Sequence, residues 1–345
     1  MEIQYIEAHK FGGTSLADAS GFRNACNQLP QSACIVIVSA VATITNHLIQ
    51  AVDVAISGQL PSALIKQIHQ THIDIINELD LTDETSLLDI ISTDIATITT
   101  VLTSITVVKH CSKAERAEVL GFGERCSARI LSAHINKQRP SQYLDASTVL
   151  YTDTKHGIQT FDIEKSKIAM QGFLSNQSSE VIVITGFLAR DVSEHKTLIG
   201  RNGSDVSASL FAELLGCQSL TIWTDQDGVY TSDPRLVNMA FPIPAMSFDE
   251  ALELAYFGAK IIHPQTIAPA KKSNRPIHIK NSLKPSAPGT TISKTSPYNA
   301  HHVRGITSIE NLSLLMIEGA GMIGIAGISS RAFTALFNAN ISVIL

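Results

Sequence analysis

Four stretches of the chain gather residues able to handle phosphate and carboxylate groups. Lys10-Phe11-Gly12-Gly13-Thr14-Ser15 joins a compact cation to two adjacent glycines and two hydroxyls. Backbone without Cβ atoms can bend sharply and bring its N–H groups close to an anion. A potential helix over 16–29 follows, and its start adds unpaired amides and a positive dipole end. A tight Gly-Gly turn beside a surface lysine would use the same residues. No G-x-x-x-x-G-K-[ST] occurs, so this is not a Walker loop. In Gly200-Arg201-Asn202-Gly203-Ser204-Asp205, Arg201 offers a planar fork for a carboxylate. Ser204 or Asp205 can cap the helix that follows, but a capped helix alone does not need Gly-Arg-x-Gly. Thr224-Asp225-Gln226-Asp227-Gly228-Val229-Tyr230, followed by Asp233-Pro234-Arg235, offers a ring for stacking and a guanidinium for phosphates. Glu124, in Gly121–Ser127, can accept from an ammonium group; an exposed helix-start glutamate favoured by the dipole is the other reading.

These stretches need a frame that brings them together. Apolar runs at 34–38, 181–185 and 221–223 read as buried strands, and 277–280 and 289–292 as further ones. Such runs, alternating with helical patterns, predict an α/β fold with an open, mainly parallel sheet covered on both faces. Ligands bind such sheets at the carboxyl ends of the strands, where Ser39-Ala40 and Ile44-Thr45-Asn46 also fall. Residues 61–108 read as helical, with positions 91, 95, 98, 102 and 105 on one buried face. Their many threonines lower helix propensity, so packing must hold that segment, as a structural, lid-like or dimer-forming hairpin. Phe257-Gly258-Ala259-Lys260 reads as the end of a helix that Pro264 stops. Residues 293–303 read as a linker, 312–317 and 341–345 as strands, and 329–338 as a helix. Gly319-Ala-Gly321-Met-Ile-Gly324 matches G-x-G-x-x-G, but the acidic residue expected about 20 positions later is missing.

The net charge of −5, without a dense Lys/Arg cluster, argues against nucleic acid as the main partner. Five scattered cysteines without a C-x-x-C pair argue for free thiols in a reducing compartment, not a disulfide frame or zinc site. No apolar run approaches about 18 residues, and no signal-peptide pattern opens the chain. The expectation is a soluble, cytoplasmic protein with no membrane partner.

Taken in order, Lys-Phe-Gly-Gly-Thr-Ser at 10–15, Ser39-Ala40 with Ile-Thr-Asn at 44–46, Gly123-Glu124, Gly-Arg-Asn-Gly-Ser-Asp at 200–205, Trp-Thr-Asp at 223–225 and Phe-Gly-Ala-Lys at 257–260 resemble aspartokinase. The match is nearest to the kinase portion of bifunctional aspartokinase–homoserine dehydrogenases. The resemblance implies an amino-acid-kinase fold over 1–292, with L-aspartate in the N-terminal lobe and MgATP in the C-terminal lobe. It implies that Lys10 stabilises the transferring phosphoryl group, with Asp205 and Lys260 as further catalytic residues. By the same resemblance Thr45, Glu124, Arg201 and Ser204 face aspartate, Glu124 towards its ammonium and Arg201 towards its α-carboxylate. Lys10, Gly12, Gly13, Thr14, Thr224, Asp225, Tyr230, Arg235 and Lys260 line the nucleotide site, with no metal ligand assigned to the protein. Phe122 and Thr43 depart from the family pattern. The tail, 304–345, resembles the start of an ACT-type regulatory domain, βαβ where the full unit is βαββαβ. This suggests a chain cut from a longer one, or a tail held by packing, and an active kinase without feedback control. A homodimer or higher homo-oligomer and an amino-acid effector belong to the same expectation. A kinase of this fold acting on glutamate, carbamate or a nucleotide is the alternative, as is a catalytically silent amino-acid sensor.

Overall fold

The computed structural model describes residues 5–82, 85–155, 158–175, 179–200, 202–258, 262–296, 303–310, 312–318, 326–339, 341 and 343. Arg201, Lys260, the glycine-rich turn 319–324 and most of the predicted strand 341–345 lie outside them. In chain order the first half contains β1 (Glu7–Phe11), α1 (Ala19–Asn27), β2 (Cys34–Val38), α2 (Ile44–Ile56), α3 (Ser62–Glu78), α4 (Thr85–Val108), α5 (Lys113–Leu120), α6 (Phe122–Asn136) and β3 (Ser141–Leu144). The hairpin β4 (Thr152–Lys155) and β5 (Ile158–Phe161) leads to α7 (Ile163–Leu174) and β6 (Val181–Thr185). A second hairpin, β7 (Leu188–Arg190) and β8 (Lys196–Leu198), precedes α8 (Gly203–Leu214) and β9 (Ser219–Thr224). Then follow β10 (Ala245–Ser247), α9 (Phe248–Tyr256), α10 (Pro264–Lys272), β11 (Ile277–Asn281), β12 (Thr290–Ser293) and α11 (Ile328–Asn338).

Eight strands form one sheet in the order β10-β12-β11-β9-β1-β2-β6-β3. All its pairings are parallel except β11 with β12. β2 and β6, apolar except for Thr185 at the end of β6, are buried throughout, as a strand covered on both faces requires. Phe11, Val36, Val38 and Val183 pack against α1–α6 on one face, while Ala8, Ile35, Ile37, Ile184 and Ile222 meet α7–α10 on the other. β1 is central, so its carboxyl end opens where the strand order reverses, the crevice in which α/β sheets bind ligands.

The helical reading of 61–108 resolves into α3 and α4. α4 is long and apolar enough, by length and composition, to cross a membrane, yet Ile91, Ile98, Leu102 and Ile105 are fully buried in the core. Its hydroxyls are satisfied within the helix: Thr93, Thr97, Thr99, Thr100 and Thr103 each donate to the carbonyl four residues back.

Three expectations change. Pro264 starts α10 instead of ending the preceding helix, because a missing N–H costs nothing at the first helical position. α9 ends at Tyr256, and Gly258 turns the chain away with φ +110°. Residues 312–318 are not a strand. Leu312, Leu314 and Met316 are exposed, and an apolar run becomes a strand only with a neighbour to bond to.

Candidate active site

Lys10 and Phe11 end β1, and the chain then turns through Gly12 and Gly13. A Cβ on Gly13 would sit 2.8 Å from the Ala40 carbonyl oxygen, so only glycine lets the two strand ends meet. The turn continues into a four-residue 3-10 helix, Gly13–Leu16, while α1 starts later with Asp18 accepting from the Gly21 N–H. The amides nearest the lysine therefore belong to a short turn, not to a long helix. The two hydroxyls separate: Thr14 is exposed, whereas Ser15 is buried and donates to Ser282 Oγ at 2.8 Å. Ser15 ties the turn to the end of β11 and is not open to a ligand.

Lys10 projects to the face that carries α8, where its Nζ lies 2.6 Å from Asp205 Oδ1, with both side chains mostly buried. Neither Ser204 nor Asp205 caps α8. The cap is Asn202, held left-handed at φ 54° without a side-chain bond, which leaves Ser204 and Asp205 free to face inward. Lys10, Ser39, Thr45, Glu124, Phe187 and Ser204, with Gly200, Asn202 and Gly203, enclose a cavity of about 310 Å³ that Asp205 also lines.

Glu124 lies in the first turn of α6 but is only 3 % exposed, which excludes the solvated helix-start reading. Gly123 makes this possible: a Cβ there would fall 2.6 Å from the Ala40 Cβ, so the helix start presses against the β2 end. The carboxylate accepts from its own backbone N–H and that of Ala40, while Oε2 has no hydrogen-bond partner. Burial pushes its pKa up to about 7, only partly opposed by those amides. An ionised, half-satisfied carboxylate lining a cavity is suited to a cation with N–H donors.

The two departures have distinct outcomes. Phe122 is fully buried with its ring edge-on to His72, so it serves the core. Thr43 takes the left-handed conformation, φ 70°, just before α2, and thereby places Thr45 in the helix's first turn. The cavity residues that sequence reading left without a role are Ser39, Phe187, Gly200, Asn202 and Gly203. Phe187 and Asn202 have positive φ, 64° and 54°, which costs energy for a non-glycine residue. Thr185-Gly186-Phe187 at a strand end was the available signal for the first.

The 224–235 loop sits at the carboxyl end of β9, beyond the far side of the Gly12 turn, whose N–H donates to the Trp223 carbonyl. Asp227 accepts from Asn281 Nδ2 at 2.5 Å and from Lys284 Nζ at 3.2 Å, contacts that hold its carboxyl below its usual range. Thr224 donates to Asp225, itself exposed. Tyr230 bridges to Pro242, and Arg235 forks onto Asp233 while its side chain remains 70 % exposed. A wider groove, about 600 Å³, lies on the sheet face between α1 and β11, lined by Glu7, His9, Gln28, Trp223 and Lys280. It gathers none of the glycine turns or predicted site residues, so the smaller cavity is the chemical one. Among the described residues, no group of three or more His, Cys, Asp or Glu side chains can hold a metal ion.

The chain is 36 % identical over 348 residues to the bifunctional aspartokinase/homoserine dehydrogenase of Haemophilus influenzae, which covers 97 % of this chain and 42 % of that one. It is 31 % identical to the chloroplastic aspartokinase 1 of Arabidopsis thaliana, covering 97 % and 60 % respectively. Thus the chain spans about two fifths of the bifunctional relative's length. The crystal structure of Escherichia coli aspartokinase III in complex with aspartate and ADP (R-state) superposes with a TM-score of 0.79 at 27 % identity, over 99 % of this chain and 76 % of that one. The same protein in complex with lysine and aspartate (T-state) gives 0.76. Residues 7–281 match the amino acid kinase family, and the chain is a member of it.

Proposed function

We propose that this chain is the kinase part of an aspartokinase, transferring the γ-phosphoryl group of ATP to the β-carboxylate of L-aspartate to give 4-phospho-L-aspartate. The observation that carries the reading is the small cavity lined both by Lys10, paired with Asp205, and by the buried carboxylate of Glu124, whose Oε2 has no hydrogen-bond partner. Glu124 would take the substrate ammonium, Arg201 its α-carboxylate, and Thr45 and Ser204 would complete the pocket. A β-carboxylate is already ionised at neutral pH, so the nucleophile needs no general base. Catalysis then rests on alignment and on neutralising charge as the phosphoryl group moves. Lys10 and the amide of Gly13 would meet the transferring group, with Gly12 shaping the turn beside it and Asp205 keeping the lysine aimed. Thr14, Thr224, Asp225, Tyr230, Arg235 and Lys260 would hold the nucleotide. Asp205 and Asp225 are carboxylates near where the phosphates would lie, and magnesium, a hard cation, would be held chiefly by those phosphates and lower their charge.

The domain reading remains a proposal too: a kinase unit over 1–292, a linker, and an ACT-like unit starting at 304. Exposed Phe333 and Phe337 on α11 form an apolar face suited to a second copy, which motivates a homo-oligomer with an amino-acid effector. The five free cysteines suit a reducing, cytoplasm-like compartment.

ADP release, measured with MgATP and aspartate, glutamate or carbamate in turn, tests the reaction, and hydroxylamine trapping identifies the acyl phosphate. ADP and hydroxamate formed only with aspartate would support it. Aspartate binding by calorimetry without any ADP release would replace it with the silent sensor.

A further inference from the structure

We propose that Glu118 is a positioning residue for the amino-acid side of this site, its carboxylate tying α6 to the β7–β8 hairpin. The inference rests on the aspartokinase reading only for the identity of the substrate. Glu118, near the end of α5, has both carboxylate oxygens engaged. Oε1 accepts from Arg125 Nη2 at 2.8 Å, and Oε2 accepts from Lys196 Nζ at 2.7 Å. Arg125 Nη2 also donates to the Glu118 carbonyl at 3.0 Å.

Each partner adjoins a cavity residue. Arg125 follows Glu124 directly, and its side chain is 4 % exposed, with Asp94 Oδ2 3.8 Å behind its Nε. Asp94 also pairs with Arg129, so the α6 end of the tether is anchored to α4. Lys196 opens β8, whose far end continues into Ile199, Gly200 and the α8 start. At the base of that hairpin the Ile199 N–H donates to the Phe187 carbonyl at 2.8 Å. The Phe187 N–H in turn donates to Ser207 Oγ at 3.1 Å. Phe187 and Gly200 line the same cavity as Glu124. The two three-residue strands make few ladder bonds of their own; Arg190 fastens β7 to Leu150 and Ser147, and the charged Lys196 contact fastens β8 to α5. Separating the hairpin from α6 would widen the cavity on the amino-acid side and leave the 224–235 loop untouched.

The cleanest variant is Lys196→Met, because Lys196 is partly exposed and its loss leaves Arg125 still paired with Glu118. Glu118→Gln and the double variant complete a cycle. In the full chain, each single substitution is expected to raise KM for aspartate about 10-fold, as misplacement of a binding wall does. KM for MgATP should stay within about twofold. The double variant should be no worse than the stronger single, since both substitutions act on the same Glu118–Lys196 contact. Hydrogen exchange over 187–199 should quicken in Lys196→Met, with 122–136 unchanged. An unaltered aspartate KM, a parallel rise in both KM values, additive effects, or unchanged exchange in the hairpin would each overturn the proposal. If the parent chain releases no ADP with aspartate, the functional reading fails, and the exchange measurement still decides the tether.

Discussion

The two sides of the site are built differently. On the amino-acid side, Lys10, Glu124 and Ser204 are each at most 9 % exposed, and each stands at a strand end or in the first turn of a helix. On the nucleotide side, Arg235, Asp225 and Tyr230 sit on a loop after β9, and Arg235 is largely in solvent. Burial makes charge strong and expensive: a lone carboxylate such as Glu124 changes its proton affinity when it has no cation. The solvated fork of Arg235 on Asp233 is worth little by itself. The first side is preorganised for a small charged molecule, while the proposed nucleotide side would gain its order from a bound ligand.

Substitutions on the two sides should therefore differ in size and in the parameter they move. Lys10→Met removes the cation nearest the proposed transfer and should lower kcat by roughly 10²–10³ with little change in KM for ATP. Near-normal turnover in a folded variant would remove Lys10 from the chemistry. Glu124→Gln should raise KM for aspartate roughly 10–100-fold, the loss of one buried charge-assisted contact, and leave KM for ATP nearly unchanged. A nucleotide-only effect would reverse the assignment of the two sides.

The same residue supplies a pH test. Below its pKa of about 7 Glu124 is neutral in the free protein and offers the ammonium no charge. Hence kcat/KM for aspartate should fall about tenfold per pH unit below that point, and the slope should vanish in Glu124→Gln. Stability runs the other way. The folded pKa lies above the ordinary 4.5, so the stabilising effect of the proton is complete below 4.5 and lost as pH rises through about 7. At pH 8 without substrate, Glu124→Gln should stabilise the fold by roughly 2–3 kcal/mol, seen as a raised Tm that disappears near pH 4. The smallest effects belong to the open side. Tyr230→Ala and Arg235→Ala should each raise KM for ATP about 3–10-fold and leave that for aspartate unchanged, because solvent already weakens what they contribute. Large, equal changes in both constants would show that the loop is as preorganised as the cavity.

Much of this was legible in the chain because local chemistry is written in adjacent residues. The continuous apolar runs at 34–38 and 181–184 have one stable use, as strands buried on both faces, and they occupy the sheet as read. The glycine pair after Lys10 and the two glycines before Ser204 marked two backbone features at strand or helix ends; Gly200 and Gly203 border the cavity, and the first pair follows Lys10, which lines it. Other features depend on distant partners. Burial of Glu124 depends on Ala40, 84 positions earlier by number (124 − 40), and on the glycine that lets α6 approach it. The pairing of Lys10 with Asp205, the diversion of Ser15 to Ser282 and the failure of 312–318 to form a strand all depend on which groups the fold delivers alongside. Residue type and spacing thus determined the elements and the reactive groups. Tertiary structure decided which groups are desolvated and which are paired, because desolvation and pairing are set by neighbours through space and not along the chain.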